Sequence, residues 1–227
     1  MSCIAIITAR GGSKRIPRKN IKDFMGKPML AYAIDAALNS GIFDEVMVST
    51  EDKEIAEVAV KCGAQVPFMR SEKTANDFAT TADVLNEVLS MYAEQGKKFD
   101  NMCCIYPCVP FLKSETLKDA YKLLKPHEAV MPVCKYPVPI EWAMKIENGK
   151  LIPFDKAAQQ IRSQDLTPKY FDVGMFYFNS ADCFYHPENH QTDMTVPYII
   201  SESECQDIDT PEDWKMAELK YKVMHNV

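Results

Sequence analysis

The chain has 227 residues, of which 47% are hydrophobic and 26% charged, enough for one large domain with a real core, so global disorder is excluded. Lys and Arg number 26 against 32 Asp and Glu, a net charge of −6, which argues against a general nucleic-acid-binding face and makes any local basic cluster specific. In chain order, residues 4–8 read as a buried strand. Residues 28–38 read as a helix with Leu30, Ile34, Ala37 and Leu38 on one stripe and Pro28 in its first turn. A strand over 45–49 precedes a helix over 52–62, which ends before Gly63. Residues 64–69 are strand-like. A helix over 81–95 turns Val84, Leu85, Val88, Leu89 and Tyr92 inward, and strand 102–106, helix 114–124 and strand 129–134 follow.

From 136 to 172 the alternation lapses. Asn148-Gly149 predicts a hairpin turn between 142–146 and 151–154, in an insertion that covers a site or joins two subunits. Core strands resume at 175–178 and 196–200. Thr210-Pro211-Glu212-Asp213 then supplies an N-cap, an N1 proline and an acidic N3 for a helix to 223. Strands alternating with helices predict an α/β fold, one domain over 1–227, with a mainly parallel sheet. Ligands of such sheets bind beyond the carboxyl ends of the strands. The loops after Thr8, Ser49, Met69 and Tyr106 are therefore the ones to search.

The eight cysteines form no Cys-x-x-Cys pair, and several sit in apolar runs such as Met102-Cys103-Cys104-Ile105. They read as reduced core thiols. No apolar run approaches the roughly 20 residues of a membrane helix, and the opening residues do not resemble an export signal. A cytoplasmic protein without a membrane or nucleic-acid partner is expected.

Residues 10–20, Arg-Gly-Gly-Ser-Lys-Arg-Ile-Pro-Arg-Lys-Asn, place five cations in eleven residues. Gly11 and Gly12 allow close backbone approach to a ligand. Successive amides, Ser13 and the cations suit an anion of several charges, most naturally a triphosphate. The competing reading is a solvated basic loop, against which its place after a first parallel strand counts. Neither a Walker A motif nor the dinucleotide Gly-x-Gly-x-x-Gly fingerprint is present.

Residues 9–21 resemble the signature of the CMP-sialic acid synthetase family of cytidylyltransferases. The likeness continues through Phe24-Met25-Gly26-Lys27-Pro28, residues 43–50 and 64–70, Arg162-Ser163-Gln164-Asp165-Leu166 and Asp207-Ile208-Asp209. The resemblance implies a three-layer Rossmann-like nucleotidyltransferase fold. It places Arg10, Gly11, Gly12, Ser13, Lys14, Lys19 and Asn20 on the CTP phosphates, with Arg10, Lys14, Lys19 and Asp209 serving the chemistry. Cations there can neutralise charge on a departing pyrophosphate.

The resemblance further implies a cytosine pocket from Arg70, Ala79 and Thr81. Read alone, Arg70 is equally a surface charge, with Thr80 and Thr81 capping a helix. Asp207 and Asp209, two apart on one side of an extended segment, are implied as ligands of magnesium or another divalent cation. Without the resemblance they read as a turn before the Thr210 cap. Arg162 would pair with a sugar carboxylate. Gln164, Asp172 and Phe176 would complete an acidic-sugar site, although Phe176, Tyr177 and Phe178 alternate as core residues do.

Two departures matter. Tyr106 ends the strand where sialate-activating members carry a Gln that helps hold the nucleotide, and no nearby Asp matches the extra metal ligand of the KDO-activating relatives. Residues 106–111, 139–143 and 162–166 with Asp172-Val173-Gly174 look more like the pseudaminic acid branch. The expected activity is transfer of CMP from CTP to a nonulosonic acid of that kind, by a homodimer in which residues 136–171 reach a neighbouring site. The alternatives are a sialate-activating enzyme, or a nucleotide-binding protein of the same fold without turnover.

Overall fold

The computed structural model describes residues 1–125, 128–189 and 194–226. Alternate residues of the first strand, β1 (Cys3–Thr8), face opposite ways, as a pleated strand requires. Cys3, Ala5 and Ile7 enter one apolar cluster, while Ile4 and Ile6 enter another. A strand buried on both faces reads as a continuous apolar run, and that is how residues 3–7 read.

A short hairpin, β2 (Asp23–Phe24) and β3 (Lys27–Pro28), leads into α1 (Met29–Ser40). Pro28 is the N-cap of this helix rather than part of its first turn, and Gly41 closes it in the left-handed region at φ 64°. β4 (Glu45–Ser49) and α2 (Lys53–Lys61) follow, then a single turn α3 (Glu72–Ala75) and α4 (Thr81–Glu94). Asp52 caps α2 by accepting from the Ile55 amide, and Thr80 with Asp83 forms a complete capping box on α4. The strand expected over 64–69 is reduced to one bridge between Gln65 and Met47. Gln65 exchanges two bonds with Val46 and Val48, and Pro67 then has no amide hydrogen to continue the ladder.

β5 (Asn101–Ile105), α5 (Ser114–Tyr121) and β6 (Ala129–Lys135) continue the alternation. The helix expected to reach 124 stops at Tyr121, because Leu123 and Leu124 bond three residues back instead of four. The insertion holds β7 (Met144–Glu147) and β8 (Lys150–Pro153), joined through Asn148 and Gly149 at φ 51° and 73°. Positive φ at both central residues is the hairpin geometry that Asn-Gly favours. Trp142, expected in the first strand, lies in a 3-10 turn with its indole donating to Ala158 O at 3.1 Å. After β9 (Tyr170–Asp172) and β10 (Phe176–Ser180) come the short α6 (Asp182–Tyr185), β11 (Thr195–Ile199) and α7 (Pro211–His225).

Among the described residues the main sheet has seven strands, in the order β11-β6-β10-β5-β1-β4, with β9 also on β6. β1, β4 and β5 are mutually parallel, as are β6 and β11, while β9 and β10 run antiparallel to their neighbours. α1, α2 and α5 supply Leu30, Ile34, Ile55 and Leu117 to one face; α4 covers the other with Leu85, Val88, Leu89 and Tyr92. The result is the three-layer architecture expected. A third cluster joins Ile16 and Ile208 to Phe24, Tyr32, Phe111 and Trp214 of α7. That cluster joins segments near Ile16 and Ile208 that are far apart in sequence.

Candidate active site

Beyond the carboxyl ends of β1 and β5 opens a cleft of about 1030 Å³. Its walls gather Arg10, Ser13, Lys14, Lys19 and Asn20 with Arg70, Ala79, Thr81 and Tyr106, and with Asp172, Asp207 and Asp209. Residues spread over two hundred positions of sequence thus share one concavity, where an α/β sheet binds its ligands.

The basic loop is fixed from behind. Gly11 N donates to Glu51 at 2.7 Å, and a Cβ on Gly11 would lie 2.6 Å from an Asp52 carboxylate oxygen. Gly11 therefore answers a close approach to Asp52 and is not among the residues lining the cleft; neither is Gly12. Arg18, at φ 56°, turns away to Asp52 and Glu54, so one of the five cations braces the loop. The Arg18 guanidinium holds the Asp52 carboxyl below the usual carboxylate range, helped by the Ile55 amide. Asn20 is buried, its Nδ2 donating to Arg10 O at 2.8 Å and its Oδ1 accepting from the Cys108 thiol at 3.3 Å. Burial pushes that thiol up to about 12, so Cys108 stays protonated and donates.

Four cations face the cleft from this loop, and each meets a carboxylate. Arg10 and Lys14 share Asp77, at 2.8 and 2.7 Å. Arg15 and Lys19 share Asp209, at 2.8 and 3.4 Å, and Lys19 also donates to Ile208 O at 2.6 Å. Ile208 is buried between the two aspartates, so both carboxylates face the cleft as an extended segment requires. Thr210 and Asp213 close a full capping box immediately after, with Pro211 opening the helix.

Arg70 is almost fully buried, its Nε donating to Ser49 Oγ at 3.1 Å and Nη2 to Ser49 O at 2.7 Å. Burial lowers its proton affinity, while Glu51 and Glu87 work the other way. Thr81 Oγ1 and Tyr106 OH stand 3.4 Å apart across the same wall. Asp172 accepts from Gly174 N and from Tyr177 OH, each at 2.8 Å. Gly174, at φ 63°, sits in the break between β9 and β10 that turns this carboxylate into the cleft.

A family model described as cytidylyltransferase matches residues 4–197. The chain belongs to the cytidylyltransferase family. It is 39% identical to the pseudaminic acid cytidylyltransferase of Campylobacter jejuni, over 99% of this chain and 98% of that one. It is 34% identical to the CMP-N,N'-diacetyllegionaminic acid synthase of Legionella pneumophila, over 96% and 95%. In fold it is similar to a CMP:2-keto-3-deoxy-manno-octonic acid synthetase solved with CTP, with a TM-score of 0.70 and 16% identity over the whole of both chains.

Three of the residues expected to touch sugar are placed elsewhere in this cytidylyltransferase. Phe176 is fully buried, its ring packed 5.7 Å from that of Phe178, so the side chain serves the core and cannot contact a ligand in the cleft. Arg162 pairs with Asp165 at 2.8 Å, and neither Arg162 nor Gln164 lines the cleft of the single chain. Asp77 and Cys108, to which the sequence gives no ligand role, also line it, as do Arg15, counted only among the loop's cations, and Tyr177, read with the core. Asp77 stands in the stretch already singled out between Arg70 and Thr81, and its charge there was the available signal. Tyr177 lies one position along the strand from Phe176, on the opposite face.

Proposed function

We propose that this cytidylyltransferase, acting as a single catalytic domain, joins CMP from CTP to pseudaminic acid and releases pyrophosphate. The observation that carries the reading is the single cleft in which the basic loop, the 70–81 wall and the Asp207/Asp209 pair meet. The names of the two relatives, both enzymes of CMP-linked acidic nine-carbon sugars, support the substrate class.

Arg10, Lys14 and Lys19 would bind the phosphate tail and oppose the charge that gathers on departing pyrophosphate. Ser13 and Asn20 frame the same loop. Arg70 has both Nε and Nη2 engaged by Ser49, which fixes its plane, and its Nη1 has no partner among the described residues. With Ala79, Thr81 and Tyr106 it would form the cytosine pocket. Asp172, oriented by Tyr177 and Gly174, would accept from a sugar hydroxyl or acylamino group.

The residues present fit a magnesium ion. Carboxylate oxygens are its preferred donors, and the Asp207 carboxylate meets no cation among the described residues. Among those residues no group of three or more ligand-type side chains converges, so Asp207 and Asp209 would share the ion with phosphate and water oxygens. When bound, it would supply charge compensation at the phosphates and lower the proton affinity of an attacking hydroxyl.

A homodimer is part of the proposal, supported by the apolar side chains that the β7–β8 hairpin leaves exposed. No described helix is long and apolar enough to cross a membrane. All eight cysteines are free thiols, which supports a reducing, cytoplasmic setting. The test is pyrophosphate release from CTP and magnesium with purified pseudaminic or sialic acid. Release with sialic acid alone would reassign the sugar, and no release with either would refute the proposal.

A further inference from the structure

Asp77 has no part in the reaction as proposed, yet it lines the cleft against the basic loop. Its Oδ1 accepts from Arg10 Nη1 at 2.8 Å and its Oδ2 from Lys14 Nζ at 2.7 Å. One anionic oxygen on each of two cations is also how a phosphate group would be met. The contacts reach across 67 and 63 residues of sequence, from the loop after β1 to the segment between α3 and α4.

That segment is held locally by its own turn. Asn76 Oδ1 accepts from Phe78 N at 2.8 Å and from Ala79 N at 3.0 Å. The next side chain, Phe78, is 94% exposed and anchors nothing. Among the described residues, the Asp77 ion pairs are the only polar side-chain links between this segment and the basic loop. Lys14 and then Arg10 hold the Asp77 carboxyl below the usual carboxylate range.

We infer that Asp77 is an internal occupant of the polyphosphate seat, its carboxylate resting on Arg10 and Lys14 until a nucleotide phosphate takes its place. The inference rests on the proposed reading of the basic loop as the seat for the CTP phosphates. A polyphosphate carries more charge than one carboxylate and reaches both cations at once, so it wins the exchange. Exposed ion pairs are individually weak, so the opposition is modest. Displacing Asp77 releases the segment that carries Ala79 and leads to Thr81. Filling the phosphate seat is thereby coupled to the base wall. Asp77 is a positioning residue, acting through Arg10 and Lys14.

The test is calorimetric titration with inorganic pyrophosphate in magnesium-free buffer. Asp77→Asn should bind pyrophosphate about three- to tenfold more tightly than wild type. Asp77→Glu, which keeps the charge, should stay within about twofold of wild type. A carboxylate with a merely structural role would weaken binding when neutralised, so unchanged or weaker binding by Asp77→Asn overturns the inference. Should that variant not fold, hydrogen exchange on the wild-type chain decides. Added pyrophosphate should speed exchange at the Phe78 and Ala79 amides, and unchanged or slower exchange overturns it. If no acidic sugar is turned over while Asp77→Asn still gains affinity, the reaction falls and the inference stands. Turnover with no gain has the opposite meaning.

Discussion

Lys19 and Asp209, 190 positions apart in sequence, stand 3.4 Å apart in the lining of the cleft. Neither is placed by its own loop alone. Ile16 and Ile208, each close to one of them in sequence, are buried in the same apolar cluster against Phe24 and Trp214. Burial of those two isoleucines therefore sets the separation of an ammonium from a carboxylate. On the proposed reading, Lys19→Ala removes a preorganised charge from the leaving phosphates and should lower kcat/KM for CTP by about 10²-fold. Steady-state kinetics with CTP varied checks this, and wild-type values would remove Lys19 from the phosphate seat.

Asp209→Ala makes a different prediction. It releases Arg15 and Lys19 from the only carboxylate they share among the described residues, so nucleotide binding without metal should be kept or improved. Turnover should nevertheless fall by about 10²-fold or more, with its dependence on added magnesium lost. Calorimetry in chelator alongside a magnesium titration of activity separates the two effects. Retained magnesium-dependent turnover would rule out the carboxylate as a metal ligand.

The sequence was most legible where local chemistry decides alone. Asn148-Gly149 specified a hairpin turn because both central residues need positive φ, and Thr210 with Asp213 specified a helix start because the two groups cap each other. It was least legible where the partner is remote. Arg18 counted as one more phosphate-facing cation until Asp52 and Glu54, more than thirty residues away, turned it outward. Phe176 had two readings, core or sugar contact, and strand β10 turns it into the face that α1, α2 and α5 cover, where it is fully buried. Asp77 was invisible as a partner of Arg10 because the pairing depends on how two loops fold over one sheet edge.

Gly11 gives a stability prediction. In Gly11→Ala the new methyl would press on Asp52, which cannot retreat because Arg18 and the α2 amide at Ile55 hold it. The cost should be about 1–3 kcal/mol, as for overpacking elsewhere. Chemical denaturation measures it, and a variant as stable as wild type would show that the loop yields freely.

Tyr177→Phe separates sugar from nucleotide. The change leaves Asp172 Oδ2 without its 2.8 Å donor while keeping the ring against Tyr106, 5.5 Å away between centroids. KM for the acidic sugar should rise roughly tenfold, the scale of a lost hydrogen bond to a charged group. KM for CTP should hold. A rise in the CTP value instead would move Asp172 from the sugar site to the nucleotide site.

The hairpin carries the prediction about assembly. Ile146 and Leu151 are cross-strand partners in β7 and β8, yet they are 75% and 68% exposed, and Phe154 beyond them is 70% exposed. A two-stranded ribbon has little stability in water by itself, and a run of exposed large apolar side chains marks an interaction surface. The wild-type chain should therefore sediment as a dimer. Ile146→Glu combined with Leu151→Lys should sediment as a monomer, because burying two charges in an apolar contact costs more than a weak interface returns. These side chains lie outside the cleft, so CTP binding measured by calorimetry should survive in the monomer. A wild-type monomer, or a double variant that still dimerises, would show that the hairpin does not hold two copies together.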